Sequence, residues 1–141
     1  MDRPIDVFCA AVGTAGLAMG VSAALSEGGS EARTVVFEPA STAVISGGQP
    51  GAHRVEGIGI GFVPPLLDPA RYHEVRAVEE AEGRTMARRM AAEEGLLAGV
   101  SSGLNVAGAI GIARELGPGR TVVTIAVDTG LKYLAGDLYD F

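Results

Sequence analysis

The most constraining feature of the sequence is a short stretch near its start, where the apolar run 6–12 is followed by Gly13-Thr14-Ala15-Gly16. An apolar run, a turn with two glycines and a helical pattern predict a strand, a tight turn and a helix start. Glycine lets the backbone bend sharply and approach a ligand, and free N–H groups at a helix N-terminus attract anions. The turn is therefore either a plain connection or an anion site, with phosphate as the obvious ligand. Its spacing matches neither G-x-G-x-x-G nor a nucleotide P-loop.

Composition excludes several classes of protein. A chain of 141 residues with 48% hydrophobic and 20% charged residues predicts one folded domain rather than disorder. The net charge of −6 argues against nucleic-acid binding, and no apolar run is long enough to span a membrane. Cys9 is the only cysteine, which excludes a disulfide framework and fits a cytoplasmic protein. His53 and His73 lie near no other ligand-type residues, so no metal site is predicted.

The remaining periodicity predicts alternating strands and helices. Strands are predicted at 34–38, 74–78 and 121–126, and helices at 17–26 and 79–94. Gly95 ends the second of these helices, and Arg84, Arg88 and Arg89 are expected on its solvent-facing side. Two strands that flank one helix form the βαβ pattern of a parallel sheet. The sequence therefore predicts an α/β domain.

Two stretches depart from this regular pattern. The connection 40–65 is unusually long and rich in glycine, which is typical of either a functional loop or a flexible surface excursion. Ile58 and Ile60 are too apolar for a solvated linker and favour the functional loop. Ser101 and Ser102 precede an apolar helical pattern, which predicts an N-cap and places hydroxyl groups near the carboxyl edge of the sheet.

Several motifs follow one another along the chain and together resemble one enzyme family. Besides the turn at 13–17, they are Ser46-Gly47-Gly48-Gln49-Pro50-Gly51, Glu56-Gly57-Ile58-Gly59-Ile60-Gly61-Phe62, 94–103, 105–110 and 128–134. In this order they resemble the carboxyl-terminal half of the cysteine synthase and cystathionine β-synthase family. These are pyridoxal-phosphate enzymes of the tryptophan-synthase-β fold type, fold type II. The resemblance covers 1–141 as a single domain and implies a three-layer αβα fold with a mostly parallel sheet, about half of such an enzyme.

The resemblance implies binding roles at three places. Five residues correspond to the cup that holds the phosphate of pyridoxal 5'-phosphate: Gly13, Thr14, Ala15, Gly16 and Leu17. Ser101 corresponds to the serine that hydrogen-bonds the pyridine nitrogen. Gly57, Ile58 and Gly59 correspond to the loop that closes over a small amino-acid substrate.

Two departures from the family pattern lie in the predicted cup. Ala15 replaces a glycine and adds a β-carbon where the backbone is expected to approach phosphate. Leu17 replaces a threonine and removes a hydroxyl donor, and a lost hydrogen bond to a charged ligand costs about 1–3 kcal/mol. Backbone donors survive both changes, so a cup can still form with weakened affinity.

The lysine that forms the Schiff base with the cofactor belongs to the amino-terminal half of the family's chains, which this sequence lacks. Lys132 is the only lysine here, and it corresponds to a terminal segment in which we expect a structural role. A lysine is needed both to hold the cofactor covalently and to move the α-proton. We therefore assign no catalytic residue to this chain and expect it to be inactive alone.

The resemblance implies part of a cysteine-synthase-like enzyme, which performs β-elimination or β-replacement on a serine derivative with a sulfur nucleophile. Activity then requires a lysine-bearing amino-terminal half on another chain, and the exposed apolar faces predict such a partner or self-association. The alternative is a non-catalytic binding or scaffolding domain derived from the same fold. A Rossmann-like nucleotide binder fits poorly, because only Glu38 ends the second strand with an acidic residue and Pro39 follows at once.

Overall fold

A computed structural model describes residues 3–140 of the chain as a parallel sheet with helices on both faces. The strands are β1 (Val7–Ala11), β2 (Arg33–Pro39), β3 (Glu74–Val78) and β4 (Val122–Val123), and the helices are α1 (Gly16–Glu27), α2 (Glu80–Glu94) and α3 (Val100–Leu116). The sheet order is β3-β2-β1-β4, and every pairing is parallel. The predicted α/β class with a parallel sheet is confirmed. Within the described part, no helix combines the length and apolarity needed to cross a membrane.

The two faces of the sheet bury different sets of side chains because successive strand residues point to opposite sides. Cys9 and Phe37 pack in one apolar cluster with Leu104 of α3. Val36 packs in a second cluster with Met19 of α1. The helices therefore form layers on either side of the sheet, with α2 packed mainly against α3.

The contact between α2 and α3 depends on two facing glycines. A β-carbon on Gly103 would lie 2.0 Å from the carbonyl oxygen of Gly83, so only glycine permits this approach. Further along α3, a β-carbon on Gly108 would lie 2.6 Å from the Phe37 ring. These small residues bring α3 close to both the sheet and α2, which fixes the position of its first turn.

The fourth strand is shorter than the predicted run 121–126. Only Val122 and Val123 pair with β1. Beyond them, the Thr124 hydroxyl donates to the Cys9 carbonyl at 2.8 Å, and the Ile125 carbonyl accepts from the side chain of Asn105 at 2.9 Å. Side chains have replaced the backbone ladder, which is why the strand ends early.

The long connection 40–65 is anchored rather than freely solvated. Glu38 is 1% exposed, and its carboxylate accepts hydrogen bonds from the N–H groups of Ile45 at 2.7 Å and Ser46 at 3.0 Å. The Ser46 hydroxyl also donates to this carboxylate. Further along the connection, Val55 and Ile58 are buried in the core. A flexible surface excursion is therefore the wrong interpretation of this segment.

The three arginines of α2 have different surroundings from those predicted. Arg84 pairs with Asp137 at 2.6 Å, and Arg88 Nε donates to the Leu138 carbonyl at 2.5 Å. These contacts hold the carboxyl-terminal segment, in which Leu138 is buried, against α2. Only Arg89, which pairs with Glu93 one helical turn away, has the predicted exposed position.

Candidate functional site

A cleft of about 430 Å³ opens at the carboxyl end of β1, where the N-termini of α1 and α3 approach each other. The structure brings nearly all the sequence-predicted site residues to this cleft: Gly13, Thr14, Ala15, Gly16, Leu17, Gly57, Ile58 and Ser101. Gly59 does not line it, although its N–H donates to the carbonyl of Val12, directly before the turn. One sheet edge therefore collects the predicted turn, loop and serine.

The turn presents a row of free backbone donors. Within residues 3–140, none of the N–H groups from Gly13 to Leu17 donates to another group of the chain. The first turn of α1 contains no acidic side chain, and Thr14, Gly16 and Leu17 are exposed. Free N–H groups at the positive end of a helix dipole favour a bound anion. The turn is therefore built to accept an anionic group of a ligand.

Ala15 has a left-handed backbone, with φ of 70°, which is unusual for a residue other than glycine. Its side chain is nevertheless buried, in the cluster that contains Val12, Ala18 and Met19. The methyl group thus packs in the core. The backbone strain results from an alanine in a left-handed conformation that glycine, the residue expected here from the resemblance, would adopt freely. Leu17, by contrast, is 40% exposed beside the cleft and offers no hydroxyl donor.

Replacing Ala15 by glycine is expected to change the free energy of unfolding by less than about 1 kcal/mol. Relief of the left-handed strain contributes roughly 1–2 kcal/mol. Loss of a buried methyl group and of chain stiffness removes a similar amount. Ala15→Val should lower the stability by about 2 kcal/mol or more, because a β-branched residue tolerates this φ poorly. Urea denaturation tests both variants, and an Ala15→Val protein as stable as the parent would contradict the strain.

The two serines at the start of α3 differ in role: the hydroxyl of Ser102 is hydrogen-bonded within the chain, whereas that of Ser101 is free. Gly99, not a serine, is the N-cap residue, so the predicted serine cap is wrong. The Ser102 hydroxyl accepts from the Val127 N–H at 2.9 Å and donates to Asp128 at 3.2 Å. The Ser101 hydroxyl lines the cleft and has no hydrogen-bond partner in the described chain. Ser101 as a whole is 4% exposed, so its free hydroxyl is accessible only from the cleft.

Asn105 is a structural support of the site that our sequence analysis did not assign. Its side-chain oxygen accepts from the N–H of Ala11 at 2.7 Å, and its amide donates to the carbonyl of Ile125 at 2.9 Å. Asn105 is buried and lies one helical turn after Ser101, on the same face of α3. A polar residue one helical turn after Ser101, within an otherwise apolar helix, is the feature of the sequence that could have identified this role.

Asp128 is a second support that the sequence analysis left without a role. Its carboxylate accepts from the N–H of Gly99 and the hydroxyl of Ser102, both at 3.2 Å, and from the Tyr133 hydroxyl at 2.9 Å. Burial, followed by this hydrogen bond, raises the pKa of Tyr133. Asp128 thereby fixes the first turn of α3 and the position of Ser101.

The glycine loop lies directly against the turn. A β-carbon on Gly13 would lie 2.0 Å from the carbonyl oxygen of Gly57, so the two backbones are in close contact. Gly57 and Gly59 have φ values of 82° and 60°, which explains the need for glycine in this loop. On the other side of the cleft, Lys132 Nζ lies 3.5 Å from the carboxylate of Glu56. The loop is therefore attached to both walls.

Neither nucleophilic side chain near the site is activated. Lys132 donates to Asp128 at 3.4 Å, and this hydrogen bond, with the charges of Asp128 and Glu56, raises the pKa of its amine. Cys9 is fully buried, and burial raises the pKa of its thiol to about 11. A protonated amine and a neutral buried thiol are poor nucleophiles. Residues 3–140 also contain no group of three His, Cys, Asp or Glu side chains that could hold a metal ion.

The fold and the cleft define an α/β protein whose cleft lies at the carboxyl edge of a parallel sheet, the edge at which proteins of this class bind ligands. Comparison with known families makes this specific, because the model of the family described as "Pyridoxal-phosphate dependent enzyme" matches residues 1–128. The chain belongs to this family. Its fold is that of the fold type II enzymes.

Two relatives found by sequence are described as a cysteine synthase and a probable cysteine synthase. The cysteine synthase of Staphylococcus aureus and the probable cysteine synthase of Bacillus subtilis are each 42% identical to this chain over 139 residues. These alignments cover 99% of this chain and 45% of each relative. The chain therefore spans less than half the length of the curated relatives that it matches.

Solved structures give the same result. An O-ureido-L-serine synthase superimposes with a TM-score of 0.91 at 34% identity, covering 97% of this chain and 43% of the other. The O-acetylserine dependent cystathionine beta-synthase of Helicobacter pylori gives a TM-score of 0.89 at 32% identity, with 96% and 44% coverage. The chain is thus similar in structure to part of each of these enzymes.

Proposed function

We propose that this chain is the cofactor-phosphate-binding part of a cysteine-synthase-like enzyme that performs β-elimination or β-replacement on a serine derivative with a sulfur nucleophile. The main observation in support is that the free N–H groups of 13–17 and the free hydroxyl of Ser101 line the same cleft. Family membership implies pyridoxal 5'-phosphate as the ligand. Activity then requires a lysine from the part of the relatives that this chain does not span.

The donors in the cleft suit the two ends of this cofactor. Free N–H groups suit a phosphate, and a serine hydroxyl can hydrogen-bond a pyridine nitrogen without keeping it protonated. When bound, pyridoxal phosphate supplies an electron sink, which with an unprotonated nitrogen is mild and suits loss of a β-substituent. In this proposal the N–H groups of 13–17 hold the phosphate and Ser101 orients the ring. The loop at Gly57, Ile58 and Gly59 excludes water from a small amino-acid substrate.

Exposed apolar side chains around the cleft support a covering partner. Leu17 and Val127 line the cleft and are exposed, and Leu131 and Leu134 are exposed on either side of Lys132. Exposed apolar clusters of this kind are typical of protein interfaces. We propose that a lysine-bearing amino-terminal half, or a second copy of this chain, covers them.

A titration with pyridoxal phosphate tests the binding role. We expect saturable binding to the chain, about tenfold weaker in Ser101→Ala because one hydrogen bond to the ring is lost, while inorganic phosphate binds both proteins equally. Ser26→Ala, which alters an exposed serine at the far end of α1, is the matched control and should bind normally. Absence of saturable binding, even after addition of a cysteine synthase amino-terminal half, would favour the alternative of a non-catalytic binding or scaffolding domain. The missing hydroxyl at Leu17 is the observation that favours this alternative.

Lys132 is expected to remain unmodified when the chain is mixed with pyridoxal phosphate and reduced with borohydride. Its ammonium group is paired with Asp128 and Glu56, so the neutral amine needed for a Schiff base is scarce. Mass spectrometry of the peptide that contains Lys132 gives the answer, and Lys132→Arg should retain cofactor affinity. A stoichiometric pyridoxyl adduct on Lys132 would contradict the structural role.

A further inference from the structure

The imidazole ring of His53 closes the loop that reaches the cleft. Its Nδ1 accepts a hydrogen bond from the N–H of Val55 at 3.1 Å, and its Nε2 lies 2.8 Å from the carbonyl oxygen of Gly59. A backbone N–H can only donate and a carbonyl can only accept, so Nδ1 is unprotonated and Nε2 carries the hydrogen. The geometry therefore requires a neutral ring in one tautomer.

A short chain of backbone contacts connects this ring to the turn. The N–H of Gly59, whose carbonyl the ring binds, donates to the carbonyl of Val12 at 3.1 Å. A β-carbon on Gly59 would lie 2.7 Å from the His53 Nε2, so the ring and the glycine backbone are in tight contact. Gly57, inside the same loop, touches Gly13. The position of the ring thus affects where the loop meets the cleft.

We propose that His53 is a positioning residue for the loop at Gly57, Ile58 and Gly59, and that protonation of its ring releases this loop. The substrate role of the loop rests on the proposed function. A proton added at Nδ1 removes the acceptor of the Val55 N–H and sets two N–H groups against each other. The neutral ring therefore holds the loop, and a charged ring does not.

Two carboxylates lie in the groove beside the ring, but among the described residues neither is in ion-pair contact with it. His53 shares a groove with Arg54, Glu80, Arg84 and Asp137. Glu80 already accepts from the N–H of Arg54 at 2.8 Å, and Asp137 pairs with Arg84 at 2.6 Å and Arg54 at 4.0 Å. On the opposite side, the uncharged side chains of Thr42 and Pro39 pack at Gly59. A positive ring therefore loses its hydrogen bond without gaining an ion pair.

Amide hydrogen exchange of the whole chain without cofactor tests this inference. Protection factors of Val55 and Gly59, corrected for intrinsic exchange, are measured at about pH 8 and about pH 5, with ring charge followed by nitrogen NMR. We expect the protection factors of the protein with a charged ring to be roughly tenfold lower than those measured at about pH 8 with a neutral ring. A tenfold loss is the equivalent of one lost hydrogen bond. His53→Phe, which lacks the acceptor, should show the reduced protection at both values. His53→Gln, which keeps an acceptor and a donor but cannot ionise, should retain part of the protection at both.

His73→Gln is the matched control, because it replaces the other histidine, which lies in another segment, and keeps an acceptor for the Thr34 N–H that the His73 ring binds at 3.0 Å. It should behave as the parent protein at both pH values. Equal protection of Val55 and Gly59 in the parent and in His53→Phe would overturn the positioning role. A loop that stays protected while the ring is charged, or that opens equally in His53→Gln, would overturn the pH response. Since no cofactor is present, these results are independent of whether pyridoxal phosphate binds.

Discussion

Gly13→Ala is expected to lower the affinity for pyridoxal phosphate at least tenfold and the free energy of unfolding by about 1–3 kcal/mol. The new methyl group would lie 2.0 Å from the oxygen and 3.2 Å from the carbonyl carbon of Gly57. Both atoms belong to backbone, which cannot rotate away as a side chain can. The loop must therefore move off the turn, against the hydrogen bond between the N–H of Gly59 and the carbonyl of Val12. Urea denaturation and cofactor titration measure the two effects.

Gly20→Ala is the matched control for this substitution. Gly20 lies inside α1, and a β-carbon there meets no atom within 4 Å. Alanine favours a helix interior over glycine by about 1 kcal/mol, so this variant should be slightly more stable and should bind cofactor normally. A Gly13→Ala protein that matches Gly20→Ala in both measurements would show that the loop does not press on the turn.

Asn105→Leu is expected to lower the free energy of unfolding by about 2–5 kcal/mol, the second large effect. Leucine resembles asparagine in shape but leaves the N–H of Ala11 and the carbonyl of Ile125 without partners. An unsatisfied buried polar group costs about 1–3 kcal/mol. Because Asn105 lines the cleft and holds Ala11, which also lines it, cofactor affinity should fall as well. Thermal denaturation and cofactor titration test this variant.

Thr124→Val separates stability from site geometry. It removes the hydroxyl that donates to the carbonyl of Cys9, a contact between the same segments that does not line the cleft. We expect a loss of about 1 kcal/mol in stability with unchanged cofactor affinity. If Asn105→Leu also retained full affinity, Asn105 would be a support of the fold alone.

Features that depend on local chemistry were predictable from the sequence. The strand predicted at 74–78 coincides with β3 (Glu74–Val78), and α2 ends where Gly95 adopts a left-handed backbone. The turn at 13–17 was identified from its glycines and the following helical pattern. Such features are decided within a few residues by strand preference, helix termination and backbone freedom.

Features that depend on distant contacts were not predictable in the same way. The early end of β4 results from the bond of Thr124 to Cys9, 115 residues away in sequence, and from the bond of Asn105 to Ile125, 20 residues away. Ser102 is hydrogen-bonded and Ser101 is not because Ser102 meets Asp128, which comes from another segment. Arg88 likewise binds a carbonyl 50 residues further along. Periodicity shows that a polar residue lies on a helix, but not which group it meets.

The buried carboxylate of Glu38 has a consequence for how this protein is degraded. It lies on β2, an interior strand, and holds the N–H groups of Ile45 and Ser46 in the following loop. A protease must pull several loop residues out of this arrangement, which leaves an acidic group buried without its donors. Cleavage beside Ile45 or Ser46 therefore requires these groups to leave the carboxylate first. The rate of cutting at this point then reports how often the start of the loop comes away from β2, although the cut falls in a glycine-rich surface segment.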